Sequence, residues 1–144
     1  MNKVKLQSFE DLEVLKKAHQ LVLNVYGITR SFPAEENYSL ASQMRRSAIS
    51  IPANIAEGFK KRSLRDKANL YNIAQGSLEE VRYYVILSKD LNYLNETRGL
   101  LDSTTEIGRM LNGLISSLAT QPYILAAIYL PAGMVDKTVI RRYY

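Results

Sequence analysis

The sequence predicts an all-α protein, an up-down antiparallel four-helix bundle followed by a C-terminal tail of different character. Three observations predict it. Apolar residues recur every three or four positions over most of residues 1–120, the interruptions are short, and each carries helix-start or helix-stop chemistry. Short connections force neighbouring helices to run antiparallel. The 144-residue chain therefore divides into a bundle domain at 1–120 and a tail at 121–144. A chain of this length buries roughly 68–70% of its unfolded surface, so it needs neither disulfide nor metal to fold.

Ser8 followed by Asp11 marks the first helix, placing an acid at the third helical position near the positive end of the dipole. Val14, Ala18, Leu21, Val25 and Ile28 form one stripe, and Leu12, Leu15, Val22 and Tyr26 form a second beside it. Glu13, Lys16, Lys17, Gln20 and Asn24 supply the polar face. An apolar sector this wide exceeds what one bundle core uses. The surplus reads as a subunit interface, against the alternative of a thickly covered central helix.

"FPAEE" (32–36) punctuates the chain, with Pro33 and two acids suited to the first turn of a second helix running to about Lys61. Its core stripe is Leu40, Met44, Ala48, Ile51 and Ile55. Pro52 lacks an N–H and crowds the carbonyl of Ala48, which predicts a kink or break there. Ser63 with Asp66 starts a third helix, striped by Tyr71, Ala74, Leu78, Val81 and Val85 and ending near Tyr93. Asn95 is the expected cap of a fourth, which carries Leu100, Leu101, Ile107, Leu111, Leu114, Ile115 and Leu118. Gly76, Gly108 and Gly113 each cost about 1 kcal/mol relative to alanine in a helix. Close helix approach is the expected compensation, with plain tolerance as the alternative.

From Gln121 the pattern changes to "QPYILAAIYLPAGMVDKTVIRRYY", with prolines at 122 and 131 and a ten-residue apolar stretch. That stretch is too short to span a bilayer. Three readings fit it: a short extra helix, a β-like segment pairing with another chain, or a tail without fixed structure. Left uncovered, "YILAAIYL" would invite association, so packing on a neighbouring surface is the expectation.

The constellations that run enzymes are not found in the sequence. The absence of cysteine excludes disulfides, thiolate metal sites and cysteine nucleophiles, and fits a reducing cytoplasm. His19 is the single histidine, read as a partly buried, hydrogen-bonded side chain. One histidine without cysteine does not build a usual zinc site. Glu35–Glu36 and Glu79–Glu80 are adjacent pairs whose members point to different helix faces. Neither a phosphate-cradling glycine loop nor a nucleophile elbow occurs. The start of the chain turns polar too early for a signal peptide, and no apolar run reaches the ~20 residues of a membrane span. No enzyme activity, cofactor, metal or membrane association is expected, and the expected compartment is the cytoplasm.

The net charge of +5 has a location. Residues 45–67 hold Arg45, Arg46, Lys60, Lys61, Arg62, Arg65 and Lys67 against Glu57 and Asp66, which is the whole excess; the rest of the chain balances. At 100° per residue, Arg46, Ala53, Glu57 and Lys60 fall opposite the core stripe, and Arg45 lies at its border. Part of this is ordinary helix chemistry. Lys60 and Lys61 sit in a last turn that favours cations, and Glu57–Lys61 is an i,i+4 pair worth ~0.2–0.5 kcal/mol. Those effects leave Arg62, Arg65 and Lys67, which crowd like charge around a turn and the start of a helix. A localised excess of this kind points to phosphate. The competing readings are a solvated face, an acidic protein partner, or an anionic membrane surface. No aromatic-rich strand accompanies the patch, so backbone contact with weak sequence selectivity is expected rather than base stacking.

The same residues carry a family resemblance. "FEDLEVLKKA" (9–18), "FPAEENYSLASQMRRSAISIPANIAEGFKKRS" (32–63) and "LYNIAQGSLEEVRYYVILSKDLNYL" (70–94) resemble the four-helix-bundle proteins encoded in intervening sequences of bacterial 23S ribosomal RNA genes. "SIPANIAEG" (50–58) and "IAQGSLEE" (73–80) are the most specific parts, and the likeness spans about residues 6–119. It implies a bundle that assembles as a ring-like homopentamer. It also implies kinship with the accessory protein of diversity-generating retroelements, a pentamer that binds nucleic acid and a reverse transcriptase. No catalytic residues are assigned in that family. Leu15 stands where the family often has tryptophan, a core-compatible change, and the tail from about Gln121 does not match the family.

The expected protein is thus a non-enzymatic homo-oligomer that binds RNA or DNA through the seven cations of 45–67. Two alternatives stand beside it. One is an oligomeric scaffold that docks a polymerase-type protein, such as a reverse transcriptase, with the patch merely solubilising. The other is a small structural or toxin–antitoxin-like regulatory protein encoded inside a mobile element.

Overall fold

The structure is a computed structural model and describes residues 8–118. Four helices, α1 (Glu13–Thr29), α2 (Leu40–Lys60), α3 (Leu64–Asp90) and α4 (Arg98–Leu118), pack in sequence order, and α4 closes back on α1. The all-α bundle predicted from periodicity is what forms, with α2 and α3 in the most extensive contact. The expectations for 121–144 lie outside the described residues.

The stripes meet as predicted. Ala18, Leu21 and Val25 of α1, Met44, Ile51 and Ile55 of α2, Leu78, Val81 and Val85 of α3, and Ile107 and Leu111 of α4 are buried together. Each large aliphatic side chain so buried contributes about 1.5–3 kcal/mol. The second α1 stripe is largely spent inside the bundle: Leu12 is buried, Leu15 and Val22 pack against the core, and Tyr26 lies under the Arg45 guanidinium. On α1 the large apolar side chain left exposed is Leu23.

The helix ends depart from the expected chemistry in instructive ways. Ser8 and Asp11 do form a reciprocal capping box, but it closes a 3₁₀ turn, Phe9–Asp11. Leu12 is then extended, and α1 starts at Glu13 without a side-chain cap. Pro33 likewise heads a 3₁₀ turn, Ala34–Glu36, rather than α2 itself. Glu36 caps α2 from outside: its carboxylate accepts from the Leu40 N–H at 3.2 Å and the Ser39 hydroxyl at 2.5 Å.

α2 continues through Pro52 without a break. Proline inside a helix costs about 3 kcal/mol, and burial of the flanking Ile51 and Ile55, both fully enclosed, offsets it. Ser63 caps α3 as predicted, accepting from the Asp66 N–H at 3.0 Å. The other end of α3 falls at Asp90, short of Tyr93, because Asn92 turns left-handed at φ 61°. The N–H groups of Tyr93 and Leu94 return to the Ser88 carbonyl, a helix-stop geometry that asparagine tolerates. Asn95 does not cap α4. The helix begins at Arg98, whose N–H is taken by the Glu96 carboxylate at 2.7 Å.

Of the two readings of the helix glycines, plain tolerance is the one that fits. A Cβ on Gly76 or Gly113 would meet nothing within 4 Å, and on Gly108 only an ordinary contact with Leu78. The close approach is at Gly58, where a Cβ would lie 2.6 Å from the Tyr71 ring.

Candidate nucleic-acid interface

The basic segment runs from the first half of α2 across the turn where α2 meets α3. Lys61 is extended, its N–H returns to the Gly58 carbonyl at 3.2 Å, and residues 61–63 connect the two helices. The absent side chain at Gly58 lets buried Tyr71 pack against the last turn of α2. The start of α3 is thereby pressed beside the end of α2.

That juxtaposition gives Lys67 a structural role. Its ammonium donates to the carbonyls of Phe59 at 2.6 Å and Gly58 at 3.2 Å, and it lies 5.5 Å from the centre of the Phe59 ring. Burial lowers its pKa. A cation here serves the C-terminal carbonyls and negative dipole end of α2. Within its own helix Lys67 looks like surplus charge, because its partner is the end of the preceding helix.

The other six cations divide. Lys61 reaches Glu57 at 3.6 Å, the predicted pair, with both side chains about half exposed. Lys60, Arg62 and Arg65 are exposed, and none pairs with a carboxylate among the described residues. Arg46 is likewise exposed and pairs with no carboxylate among the described residues. Arg45 is half-buried at the α1–α2 seam, where its Nε donates to the Thr29 hydroxyl at 2.8 Å and its guanidinium lies 5.0 Å over Tyr26. Thr29 in turn donates to the Val25 carbonyl at 2.7 Å. Arg30, exposed at the C-terminus of α1 and next to Thr29, adds a cation that the sequence reading did not include. Nothing local in the sequence ties Tyr26, Thr29 or Arg30 to Arg45; only the α1–α2 packing does.

The remaining polar groups are spoken for or scattered. Ser47 donates to Glu80 at 2.9 Å and Ser50 bonds Ser77 at 2.7 Å, stitching α2 to α3, while the neighbouring Glu79 pairs with Arg82 at 3.5 Å. His19 is exposed rather than partly buried. Among the described residues no cluster of His, Cys, Asp or Glu could hold a metal ion, and no helix is long and apolar enough to cross a membrane.

Fold and surface together define a class: an up-down four-helix bundle with exposed Arg46, Lys60, Arg62 and Arg65 on α2, the turn after it and the start of α3, none paired with a carboxylate among the described residues. The chain belongs to the 23S rRNA-intervening sequence protein family, whose model matches residues 10–113. It is also similar to a crystal structure from Bacteroides thetaiotaomicron, a protein of unknown function from the S23 ribosomal protein family. That likeness has a TM-score of 0.66 at 25% identity and covers 71% of this chain and 97% of the other. No curated protein matches the chain.

Proposed function

We propose that this protein is a non-enzymatic, cytoplasmic, self-associating bundle that binds the phosphate backbone of RNA or DNA. The observation that supports this most is the set of exposed cations Arg46, Lys60, Arg62 and Arg65, none of which pairs with a carboxylate among the described residues. Lys60, Arg62 and Arg65, like charges close together in the chain, repel one another; phosphate relieves that repulsion, and the cations release counterions condensed on the nucleic acid. Arg45 contributes from a fixed position, whereas Lys61 and Lys67 are already engaged. Self-association, to a ring of five by family resemblance, would repeat the patch by symmetry and multiply its avidity.

The test is a fluorescence-anisotropy titration with structured RNA and duplex DNA of matched length at several salt concentrations, with the assembly state read by light scattering. Saturable binding whose log affinity falls steeply with log salt, and a flatter slope in Arg46→Gln or Lys60→Gln, are the expected results. Slopes unchanged in both variants would remove these residues from the interface.

A second reading is supported by Ile73, Tyr83 and Ile86, which leave α3 exposed by 51%, 58% and 46%. Large apolar side chains left in solvent suit a protein partner, such as a polymerase-type enzyme docked on the bundle. Capture of such a partner that survives high salt and nuclease treatment would favour this reading.

A further inference from the structure

The exposed cations of α2 stand at two stations on one face. At 100° per residue Arg46 and Lys60 are within about 40° of each other around the helix, and fourteen steps of about 1.5 Å set them about 21 Å apart along it. Arg30 and Arg45 join the first station; Arg62 and Arg65 join the second. Between them the solvent side carries exposed Ile49 and Ala53, and the exposed carboxylate of Glu57, whose charge is countered by Lys61 at 3.6 Å.

We infer that the two stations grip the two phosphate rows of one double helix, with α2 lying across a groove, so that the ligand is duplex rather than single-stranded. This rests on the backbone-binding reading above and adds the ligand's form to it. A duplex presents opposed phosphate rows flanking a major groove about 12 Å wide. Long, flexible Arg and Lys side chains on backbone positions about 21 Å apart have the reach to meet that spacing. A flexible single strand offers no such fixed pair of rows, and single-strand sites supply aromatic platforms for its bases. Ile49 and Ala53 supply none. Arg45 strengthens the first station because it is oriented in advance: Thr29 holds its Nε and Tyr26 lies under its guanidinium. Both Nη groups lack a carboxylate partner among the described residues, leaving them free for a phosphate fork. Opposed phosphate rows occur in both B-form DNA and A-form RNA, and the measurement below separates the two sources.

The experiment titrates the full chain against hairpins with stems of about 4 and about 10 base pairs, in DNA and in RNA, beside single strands of equal length. At about 3.4 Å per base pair, 21 Å corresponds to about six pairs, so only the longer stem reaches both stations. The inference expects affinity to step up at least about tenfold from the short to the long stem, and the step to shrink below about threefold in Arg46→Gln and in Lys60→Gln. The nucleic acid with the larger step identifies the source. Single strands binding as well as long stems, or a length dependence that neither variant changes, would overturn the duplex inference and leave the backbone-binding reading standing. No binding to any of these probes at low salt would overturn both.

Discussion

Lys67, in the second turn of α3, holds the end of α2: its Nζ is 2.6 Å from the carbonyl oxygen of Phe59. Within a segment that looks uniformly basic, this one ammonium is a helix cap. Lys61 pairs with Glu57 and Arg45 bonds Thr29, while Arg46, Lys60, Arg62 and Arg65 pair with no carboxylate among the described residues, and that difference separates structure from candidate function.

Lys67→Met keeps most of the aliphatic stem over the Phe59 ring and removes the donor. Loss of about 1 kcal/mol of stability is expected, the typical net worth of such a bond, read as a lower urea midpoint. The salt slope of nucleic-acid binding should match that of the unaltered protein. A slope that drops as far as it does in Arg46→Gln would return Lys67 to the binding surface.

Glu36 governs the opposite end of the bundle. Its carboxylate accepts from the Ser39 hydroxyl, the Tyr93 hydroxyl at 3.0 Å and the Leu40 N–H, and these bonds lower its pKa below the usual 4.5. The bond to Glu36, then burial and the charges of Glu36 and Glu35, raise the pKa of Tyr93 above 10.0. A depressed carboxylate stabilises the fold above its unfolded pKa and loses that contribution as pH falls through the folded one. A raised phenol contributes fully below pH 10.0 and loses its contribution as pH climbs through the folded value. Stability measured against pH should therefore fall at both ends. Glu36→Gln should flatten the acid limb and Tyr93→Phe the alkaline limb; acid limbs that superimpose with and without Glu36 would discard this account.

Tyr26 is the floor beneath Arg45. Tyr26→Leu preserves apolar bulk at the seam and removes a cation–π contact worth about 0.5–1 kcal/mol at an exposed site. A small loss of stability is expected, together with a nucleic-acid affinity reduced by about twofold to fivefold as Arg45 loses its fixed orientation. Affinity unchanged in a folded Tyr26→Leu protein would mean that Arg45 binds nothing.

Periodicity made the four helices and nearly all of the core legible, because a stripe at i, i+3 and i+4 is a local property of the chain. The Ser63 cap and the Glu57–Lys61 pair were readable for the same reason. Starts that depend on a distant partner were not. Glu36 caps α2 from a separate 3₁₀ turn and is held by Tyr93 from beyond α3, and no window around "FPAEE" contains that information. The candidate site divides in the same way. Its net charge and location are sequence facts, but which cations are engaged follows from packing: Lys67 folds back onto α2 and Arg45 onto Thr29. The wide apolar sector of α1 looked like surplus because sequence does not show how much α2 and α4 absorb.

The glycines give a paired test with opposite signs. At Gly58 an added Cβ would meet the Tyr71 ring at 2.6 Å and the Leu70 Cβ at 3.3 Å, and Tyr71 is only 2% exposed and cannot swing into solvent. Gly58→Ala gains helix propensity of about 1 kcal/mol, but forcing bulk into a packed site costs about 1–3 kcal/mol, so the net change should be destabilising and should loosen the α2–α3 turn. At Gly76, with open space around it, only the propensity gain operates, and Gly76→Ala should stabilise by up to about 1 kcal/mol. Chemical denaturation of both variants checks the pair. A Gly76→Ala protein that is less stable, or that changes its assembly state while the bundle stays folded, would show that the space beside α3 is occupied in the protein, because nothing among the described residues fills it.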